Sequence, residues 1–196
     1  MFLYVGGIPG VGKTTVIRRS IELAKEINFH LQGLNEKRIL CQIAGVSSTE
    51  EYAKLPAEIR AQARKRMVDH FYEVDEQDLT TIRIRDDHFT APNKDGTYWV
   101  RPLAARDKLH TLAFVVITAE PDNILQRRLT RGFFPSEPNF FNLNEIIRHQ
   151  EMEVKIASSQ AEYLNIPFKI VENEEGKIVQ TSKLLLSLIK EVARGG

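Results

Sequence analysis

Residues 7–14 near the start of the chain follow the pattern Gly-x-x-x-x-Gly-Lys-Thr. An apolar segment at 2–5 precedes the motif and predicts a buried strand, and helical apolar spacing at about 13–28 follows it. Glycines let the backbone turn sharply and aim successive N–H groups at one point, where the positive end of the helix dipole also lies. This order of strand, glycine turn and helix predicts a P-loop, which binds phosphate groups.

The last residues of the motif have distinct expected roles. We expect Lys13 to reach the β- and γ-phosphates of a nucleotide, Thr14 to hold Mg²⁺ through its hydroxyl group, and Thr15 to donate to the α-phosphate. A turn that only joined the strand to the helix would not need Lys-Thr at these positions. The expected nucleotide-binding residues are Gly7, Ile8, Pro9, Gly10, Val11, Gly12, Lys13, Thr14 and Thr15.

Length and charge exclude several other classes of protein. The chain has 196 residues, 27 Lys+Arg and 26 Asp+Glu, and a net charge of +1, so we expect one globular domain with no general attraction for nucleic acid or an anionic membrane. The longest apolar run, 112–117, is too short to span a bilayer, and the start is expected to be a strand rather than a signal peptide. The single Cys41 rules out an intramolecular disulfide and fits a cytoplasmic protein.

Apolar runs alternate with helical patterns along the chain, which is typical of an α/β fold with a parallel sheet. Expected strands are 2–5, 38–43, 80–85, 112–117 and 168–171. Expected helices are about 13–28, 56–74, 121–130, 144–164 and 182–194. The helix that opens at Pro56 is expected to bury Ile59, Ala63, Met67, Phe71 and Val74. The segment 47–55 is a polar stretch, and the stretch after His88, rich in Pro, Gly and Asn, is expected to be a loop.

Asp86 follows the third expected strand, where a P-loop protein can place a carboxylate that reaches Mg²⁺ directly or through water. Asp87 and His88 come next. Two alternatives stay open: an independent metal site formed by these three residues, for which one His and two adjacent acids are a weak ligand set, or a solvated end of a loop.

Two basic groups are candidates for contact with phosphate. Arg127, Arg128 and Arg131 lie at the end of a helix, and guanidinium groups there can stabilise the charge of a transferring phosphoryl group. Arg60 and Arg64 are one helical turn apart and can bind a second, phosphorylated substrate. The alternatives are a cationic helix C-terminus for the first group and a solvated helix face for the second.

With these motifs in order, the chain resembles the archaeal-type adenylate kinases, a family of P-loop nucleoside monophosphate (NMP) kinases. The resemblance runs along the whole chain. It rests on Gly7-Ile8-Pro9-Gly10-Val11-Gly12-Lys13-Thr14-Thr15-Val16, Asp86-x-His88, Lys94-Asp95-Gly96-Thr97-Tyr98, Ile124-Leu125-x-Arg127-Arg128-Leu129, His149-Gln150-x-Met152 and Ile170-Val171-x-Asn173.

The resemblance implies a three-layer P-loop fold with a five-stranded parallel sheet, an NMP-binding lobe within about 33–74 and a short lid within about 131–142. It implies ATP and Mg²⁺ as cofactors, reversible phosphoryl transfer to AMP, and a homo-oligomer, in several members a trimer. It also adds Asn173 to the expected nucleotide-binding residues, and Asp86 and His88 to the expected substrate-binding residues.

The chain departs from the family pattern on the acceptor side. Ala53 precedes Lys54-Leu55, where the family tends to carry an arginine, and Glu36-Lys37-Arg38 stands in place of small residues. Arg148 on the long helix is a candidate to replace a second lid arginine.

An interior strand is also expected to carry Arg83 and Arg85, whose charges must reach a partner within the chain or at a subunit interface.

The sequence predicts an enzyme that transfers phosphate from Mg-ATP to AMP or another nucleoside monophosphate. Two other functions stay open: a P-loop kinase that acts on a small metabolite, and a nucleotide-gated interaction module that hydrolyses ATP slowly. The chain carries no Asn-Lys-x-Asp motif, which counts against a GTPase switch.

Overall fold

The computed structural model describes residues 1–93, 95–104, 106–130 and 140–195. The strands are β1 (Phe2–Gly6), β2 (Leu31–Leu34), β3 (Ile82–Asp86), β4 (Thr90–Pro92), β5 (Tyr98–Val100), β6 (Thr111–Thr118) and β7 (Phe168–Glu172). The helices are α1 (Lys13–Glu26), α2 (Glu36–Ala44), α3 (Thr49–Lys54), α4 (Ala57–Gln77), α5 (Asp107–His110), α6 (Pro121–Thr130), α7 (Leu143–Leu164) and α8 (Ile178–Gly195).

Five strands form one parallel sheet in the order β2-β3-β1-β6-β7. The carboxyl ends of parallel strands share one edge, and ligands bind in the crevice where the strand order reverses. Here β1 lies between β3 and β6, so the turn after Gly6 opens at that crevice. The α/β fold and the five-stranded parallel sheet expected from the sequence are confirmed.

The central strand β1 is buried on both faces, since its side chains alternate between two apolar clusters. Leu3 and Val5 pack in the cluster that includes residues of α1 and α8. Phe2 and Tyr4 pack in the cluster that includes residues of α4 and α7. The sheet is therefore the middle layer of three, and its core fixes the position of the turn that follows β1.

The second strand was predicted at 38–43, and this prediction is wrong. That segment lies in α2, and the second strand of the sheet is Leu31–Leu34. The Asn35 side chain caps α2 by accepting a hydrogen bond from the Arg38 N–H, and Gly45 ends the helix in the left-handed conformation. The short apolar run at 39–43 fits either a strand or one face of a helix. The cap at Asn35 stabilises the helix.

Two smaller expectations also differ from the structure, and the polar segment 47–55 contains the short helix α3, capped by Ser48. The stretch after His88 contains the antiparallel hairpin β4–β5 rather than only a loop. Of the apolar stripe expected on α4, Ala63, Met67 and Phe71 are buried, but Ile59 near the start of the helix is 42% exposed.

The two arginines of β3 find partners within the chain. The Arg83 guanidinium donates to the Asp78 carboxylate at 2.7 Å and to the Asp78 carbonyl at 2.9 Å. Arg85 donates through Nε to Glu36 Oε1 at 2.6 Å and through Nη1 to the Tyr4 hydroxyl group. These ion pairs compensate the cost of burying a charge in an interior strand.

His149 of α7 is a buried titratable group that makes stability depend on pH. It lies beside the Tyr98 ring and within 3.5 Å of the Thr90 carbonyl oxygen. Burial lowers the pKa of His149 to about 4, with the Thr90 hydrogen bond opposing this shift and the Arg128 charge adding to it. The imidazole is therefore neutral in the folded protein at neutral pH.

We predict that the free energy of unfolding falls as the pH drops from about 6.5 towards 4, because His149 is protonated in the unfolded chain but stays neutral in the folded protein over this range. His149 contributes about 1–3 kcal/mol to this fall. Urea unfolding at several pH values measures it: His149→Gln should show a smaller fall than the wild type, whereas His30→Gln, at an exposed position, should match the wild type. Equal falls in all three proteins would contradict the prediction.

Candidate functional site

The turn between β1 and α1 has the backbone that its glycines predict. Gly7 and Gly12 have φ angles of 139° and 90°, which favour glycine. A Cβ atom on Gly7 would lie 2.5 Å from the Ile117 carbonyl oxygen, and one on Gly12 would lie 2.4 Å from Asn173 Nδ2. No side chain caps α1. The Thr15 N–H donates to the Gly12 carbonyl at 3.0 Å, which leaves the first two N–H groups of the helix, those of Lys13 and Thr14, for an anion at the helix N-terminus.

Lys13, Thr14 and Asp86 meet at this turn. The Lys13 ammonium group is buried and lies 3.0 Å from Asp86 Oδ1 and 2.6 Å from the Asp87 carbonyl oxygen. Thr14 Oγ1 donates to the other carboxylate oxygen, Asp86 Oδ2, at 3.2 Å. One carboxylate at the end of β3 thus contacts both Lys13 and Thr14.

His88 also lies in this group, with Nδ1 3.4 Å from Lys13 Nζ. Burial and, second, the Lys13 charge lower the pKa of His88 to about 4. The imidazole is therefore uncharged at neutral pH. It adds a hydrogen-bonding group beside Lys13 without adding a second positive charge.

Arg127, Arg128 and Asn173 surround the outer side of the turn. Arg127 Nη1 donates to the Val11 carbonyl at 3.2 Å, Arg128 Nε to the Pro9 carbonyl at 2.8 Å, and Asn173 Nδ2 to the Val11 carbonyl at 2.7 Å. Arg128 is only 5% exposed, and it also donates to the Phe140 carbonyl at 2.6 Å.

These three side chains hold carbonyl groups of the turn in fixed directions. A direct role of Arg127 and Arg128 in phosphoryl transfer stays a prediction. Arg131 and most of the expected lid, 131–139, lie outside the described residues.

Glu153 of α7 is a site residue that the sequence analysis missed. Its buried carboxylate accepts hydrogen bonds from the Gly7 N–H at 3.0 Å, the Phe89 N–H at 3.0 Å, the Thr90 N–H at 2.7 Å and the Thr90 hydroxyl at 2.6 Å. Glu153 therefore ties the start of the P-loop to the segment after β3. The available signal was an acidic residue on the buried face of α7, in line with Ile146 and Ala157.

A cavity of about 1080 Å³ extends from the P-loop towards the junction of β2 and α2. Because β3 separates β1 from β2 in the sheet, that junction lies two strand spacings, about 10 Å, from the P-loop. Its lining includes Lys13, Thr14, Asp86, Asp87 and His88 on the P-loop side, and Leu34, Asn35, Glu36, Lys37, Leu40 and Met67 on the far side. Neither Arg60 nor Arg64 lines it.

The sequence was compared with protein-family models. Residues 6–133, which include the P-loop, Asp86 and the helix with Arg127, match the family described as an AAA domain, AAA_17. The chain belongs to this AAA domain family. The match spans well over half of the chain, from the end of β1 into the segment after α6.

Curated relatives of this AAA domain protein include three archaeal proteins named adenylate kinase. The chain is 29% identical to the one from Pyrococcus abyssi over 88% of this chain and 86% of that protein. It is 27% identical to the one from Pyrococcus horikoshii over 96% and 97%. It is 25% identical to the one from Methanopyrus kandleri over 95% and 96%. The resemblance to archaeal adenylate kinases is confirmed.

Solved structures support the fold of this AAA domain. Shikimate kinase from Aquifex aeolicus superposes with a TM-score of 0.56 at 19% identity and covers 100% of both chains. Shikimate kinase from Bacteroides thetaiotaomicron gives a TM-score of 0.54 at 17% identity and covers 97% of this chain and 98% of that one. At these identities the likeness shows a shared P-loop kinase fold.

Within residues 1–93, 95–104, 106–130 and 140–195, no three or more His, Cys, Asp and Glu side chains are grouped so as to hold a metal ion. None of the described helices is long and apolar enough to cross a membrane.

We predict that Glu153→Gln destabilises the protein by about 2–4 kcal/mol, because the amide removes a charge that accepts four hydrogen bonds and turns an NH₂ group towards donors. Glu151→Gln, on the exposed side of the same helix, should change stability by less than about 0.5 kcal/mol. Urea denaturation measures both variants. A Glu153→Gln protein as stable as the wild type would show that the four contacts contribute little.

Proposed function

We propose that this protein transfers the γ-phosphoryl group of Mg-ATP reversibly to a nucleoside monophosphate, with AMP as the default acceptor. The observation that carries the proposal is the contact of Asp86 with both Lys13 and Thr14 at the P-loop. The archaeal relatives named adenylate kinase, which match along nearly the whole chain, support the same activity.

In this proposal the P-loop N–H groups and the N-terminus of α1 bind the phosphates of ATP. Lys13 neutralises charge on the β- and γ-phosphates, and Thr14 and Asp86 hold Mg²⁺, directly or through water. When bound, the ion would supply positive charge that offsets the charge of the phosphate groups. The oxygen-donor chemistry of the Thr14 hydroxyl and the Asp86 carboxylate would suit it.

The remaining site residues act by position and charge. Arg127, Arg128 and Arg131 are proposed to stabilise the transferring group, with the segment 131–142 as a lid and 33–74 as the NMP-binding lobe. Asn173, next to Gly12, is proposed to contact the nucleotide. No general base is needed, because the phosphate of the acceptor is already an anionic nucleophile.

The setting of the enzyme is part of the same proposal. We expect nucleotides as its partners, the cytoplasm as its location, and a homo-oligomer, a trimer by resemblance. Light scattering on the purified protein measures the oligomeric state directly.

One observation favours a second candidate, a kinase that acts on a hydroxyl group of a small metabolite. The carboxylates of Glu36 and Asp87 line the cavity, whereas Arg60 and Arg64 do not, although the cations Arg18, Lys25 and Lys37 also line it. A carboxylate can act as general base towards a hydroxyl acceptor.

The decisive assay mixes the protein with Mg-ATP and a panel of nucleoside monophosphates. We predict equal amounts of ADP and a nucleoside diphosphate, and a loss of kcat/KM of roughly 100-fold or more in Lys13→Met, since one strong contact to transferring charge is removed. Lys155→Met, at an exposed position on α7, should keep wild-type activity.

The products separate the rival functions. ADP and inorganic phosphate as the only products from ATP, with no phosphorylated acceptor, would contradict the proposal and favour a nucleotide-gated module. An unphosphorylated nucleoside monophosphate panel, with ADP formed only when a hydroxyl metabolite is added, would favour the second candidate.

A further inference from the structure

We propose that Glu36 determines which nucleoside monophosphate the enzyme phosphorylates. Its carboxylate would accept hydrogen bonds from two adjacent N–H or O–H groups of that nucleotide. Two parts of a nucleotide offer such a pair: the N1–H and N2–H edge of guanine, and the 2′- and 3′-hydroxyl groups of ribose. This inference rests on the proposed NMP kinase function, and it assigns the group that reads the acceptor.

Glu36 occupies the right place for this role. It is the first residue of α2, directly after the capping residue Asn35, and it lines the cavity at the end away from the P-loop. Its side chain is 15% exposed, so the carboxylate is mostly shielded from water yet reachable from the cavity. A nucleotide whose phosphate lies near Lys13 would extend its nucleoside about 10 Å towards this junction.

A buried arginine holds the carboxylate in one orientation. Arg85 Nε donates to Glu36 Oε1 at 2.6 Å, and the Arg85 side chain is only 3% exposed. The guanidinium lies over the rings of Tyr4, at 4.5 Å, and Phe71, at 4.9 Å, and it also donates to the Tyr4 hydroxyl. Arg85 does not line the cavity. Its role towards a ligand is therefore to position Glu36.

The carboxylate keeps capacity for a ligand. Within the part of the chain that the structure describes, Glu36 Oε2 makes no hydrogen bond, and Oε1 has one partner, Arg85. A carboxylate can accept about four hydrogen bonds in total, including a bidentate pair. Two hydrogen-bond donor groups of the acceptor nucleotide can therefore bind Glu36 while its ion pair with Arg85 stays intact.

The negative charge of Glu36 disfavours a phosphate next to its carboxylate, although Lys37 also lines this end of the cavity. Asp87 lines the P-loop side and adds negative charge from there. Burial raises the pKa of Glu36, whereas the Arg85 charge favours the ionised form. A phosphate beside Glu36 would be repelled by the carboxylate, whereas N–H and O–H groups could donate hydrogen bonds to it. The acceptor is therefore oriented with its phosphate towards Lys13 and its donors towards Glu36.

Base chemistry makes the prediction selective. Guanine presents two donors side by side, while adenine and cytosine place a ring acceptor next to the amino group, and uracil flanks its single N–H with carbonyl groups. A carboxylate accepts hydrogen bonds and repels acceptors. A base edge at Glu36 thus favours GMP over AMP, and a ribose diol at Glu36 favours ribonucleotides over 2′-deoxyribonucleotides.

The test measures kcat/KM for AMP, GMP, dAMP and dGMP with the wild type, Glu36→Gln and Glu26→Gln at saturating Mg-ATP. For the wild type we expect one of two kcat/KM ratios to be about tenfold or more: GMP over AMP, or the ribonucleotide over its 2′-deoxyribonucleotide. Glu36→Gln should bring that ratio close to one, since an amide presents one donor and one acceptor. Glu26→Gln, at an exposed position on α1, should keep it. The KM for ATP and the melting temperature report whether each variant is folded.

Glu36→Asp is the second variant, since it keeps the charge that compensates Arg85 and shortens the reach to the acceptor. The Glu36→Asp variant should prefer the same substrate as the wild type, with a lower kcat/KM for that substrate. Wild-type ratios near one in both comparisons, or an unchanged ratio in Glu36→Gln and Glu36→Asp, would overturn the inference while nucleoside diphosphate formation still supported the proposed function. Absence of any nucleoside diphosphate with the wild type would overturn both.

Discussion

The site depends on keeping one ammonium group, Lys13, at the edge of a buried parallel sheet. Lys13 is 7% exposed, and an isolated charge at that depth costs several kcal/mol. Asp86 and the Asp87 carbonyl compensate it from the end of β3, the strand that pairs with β1. The parallel sheet is therefore what places the motif at the end of β1 beside the carboxylate at the end of β3.

The P-loop backbone is held from two sides by groups far away in the sequence. On one side, Glu153 binds the Gly7 N–H together with the segment after β3. On the other side, Arg127, Arg128 and Asn173 bind carbonyl groups of the turn. A cradle fixed in this way can meet a charged ligand with little reorganisation, which is the condition for electrostatic stabilisation of phosphoryl transfer.

The sequence predicted the local parts of this arrangement and missed the distant ones. The P-loop, the central strand and α6 follow from contiguous patterns, and Asp86 follows from its place at a strand end. Segment 38–43 was assigned to the wrong element because a short apolar run fits a strand or a helix, and the cap at Asn35 is a weak signal. Glu153 and Gly7 are 146 positions apart, and Glu36 and Arg85 are 49 positions apart. No local sequence pattern reveals contacts over such separations.

The most direct test of the site is a calorimetric titration of ATP into the wild type and Asp86→Asn, each with and without Mg²⁺. We propose that Asp86 serves the ion and Lys13 together. Magnesium should then tighten ATP binding in the wild type but not in Asp86→Asn, which should still bind ATP without the metal. An Asp86→Asn protein with the full magnesium-dependent gain in affinity would contradict the account.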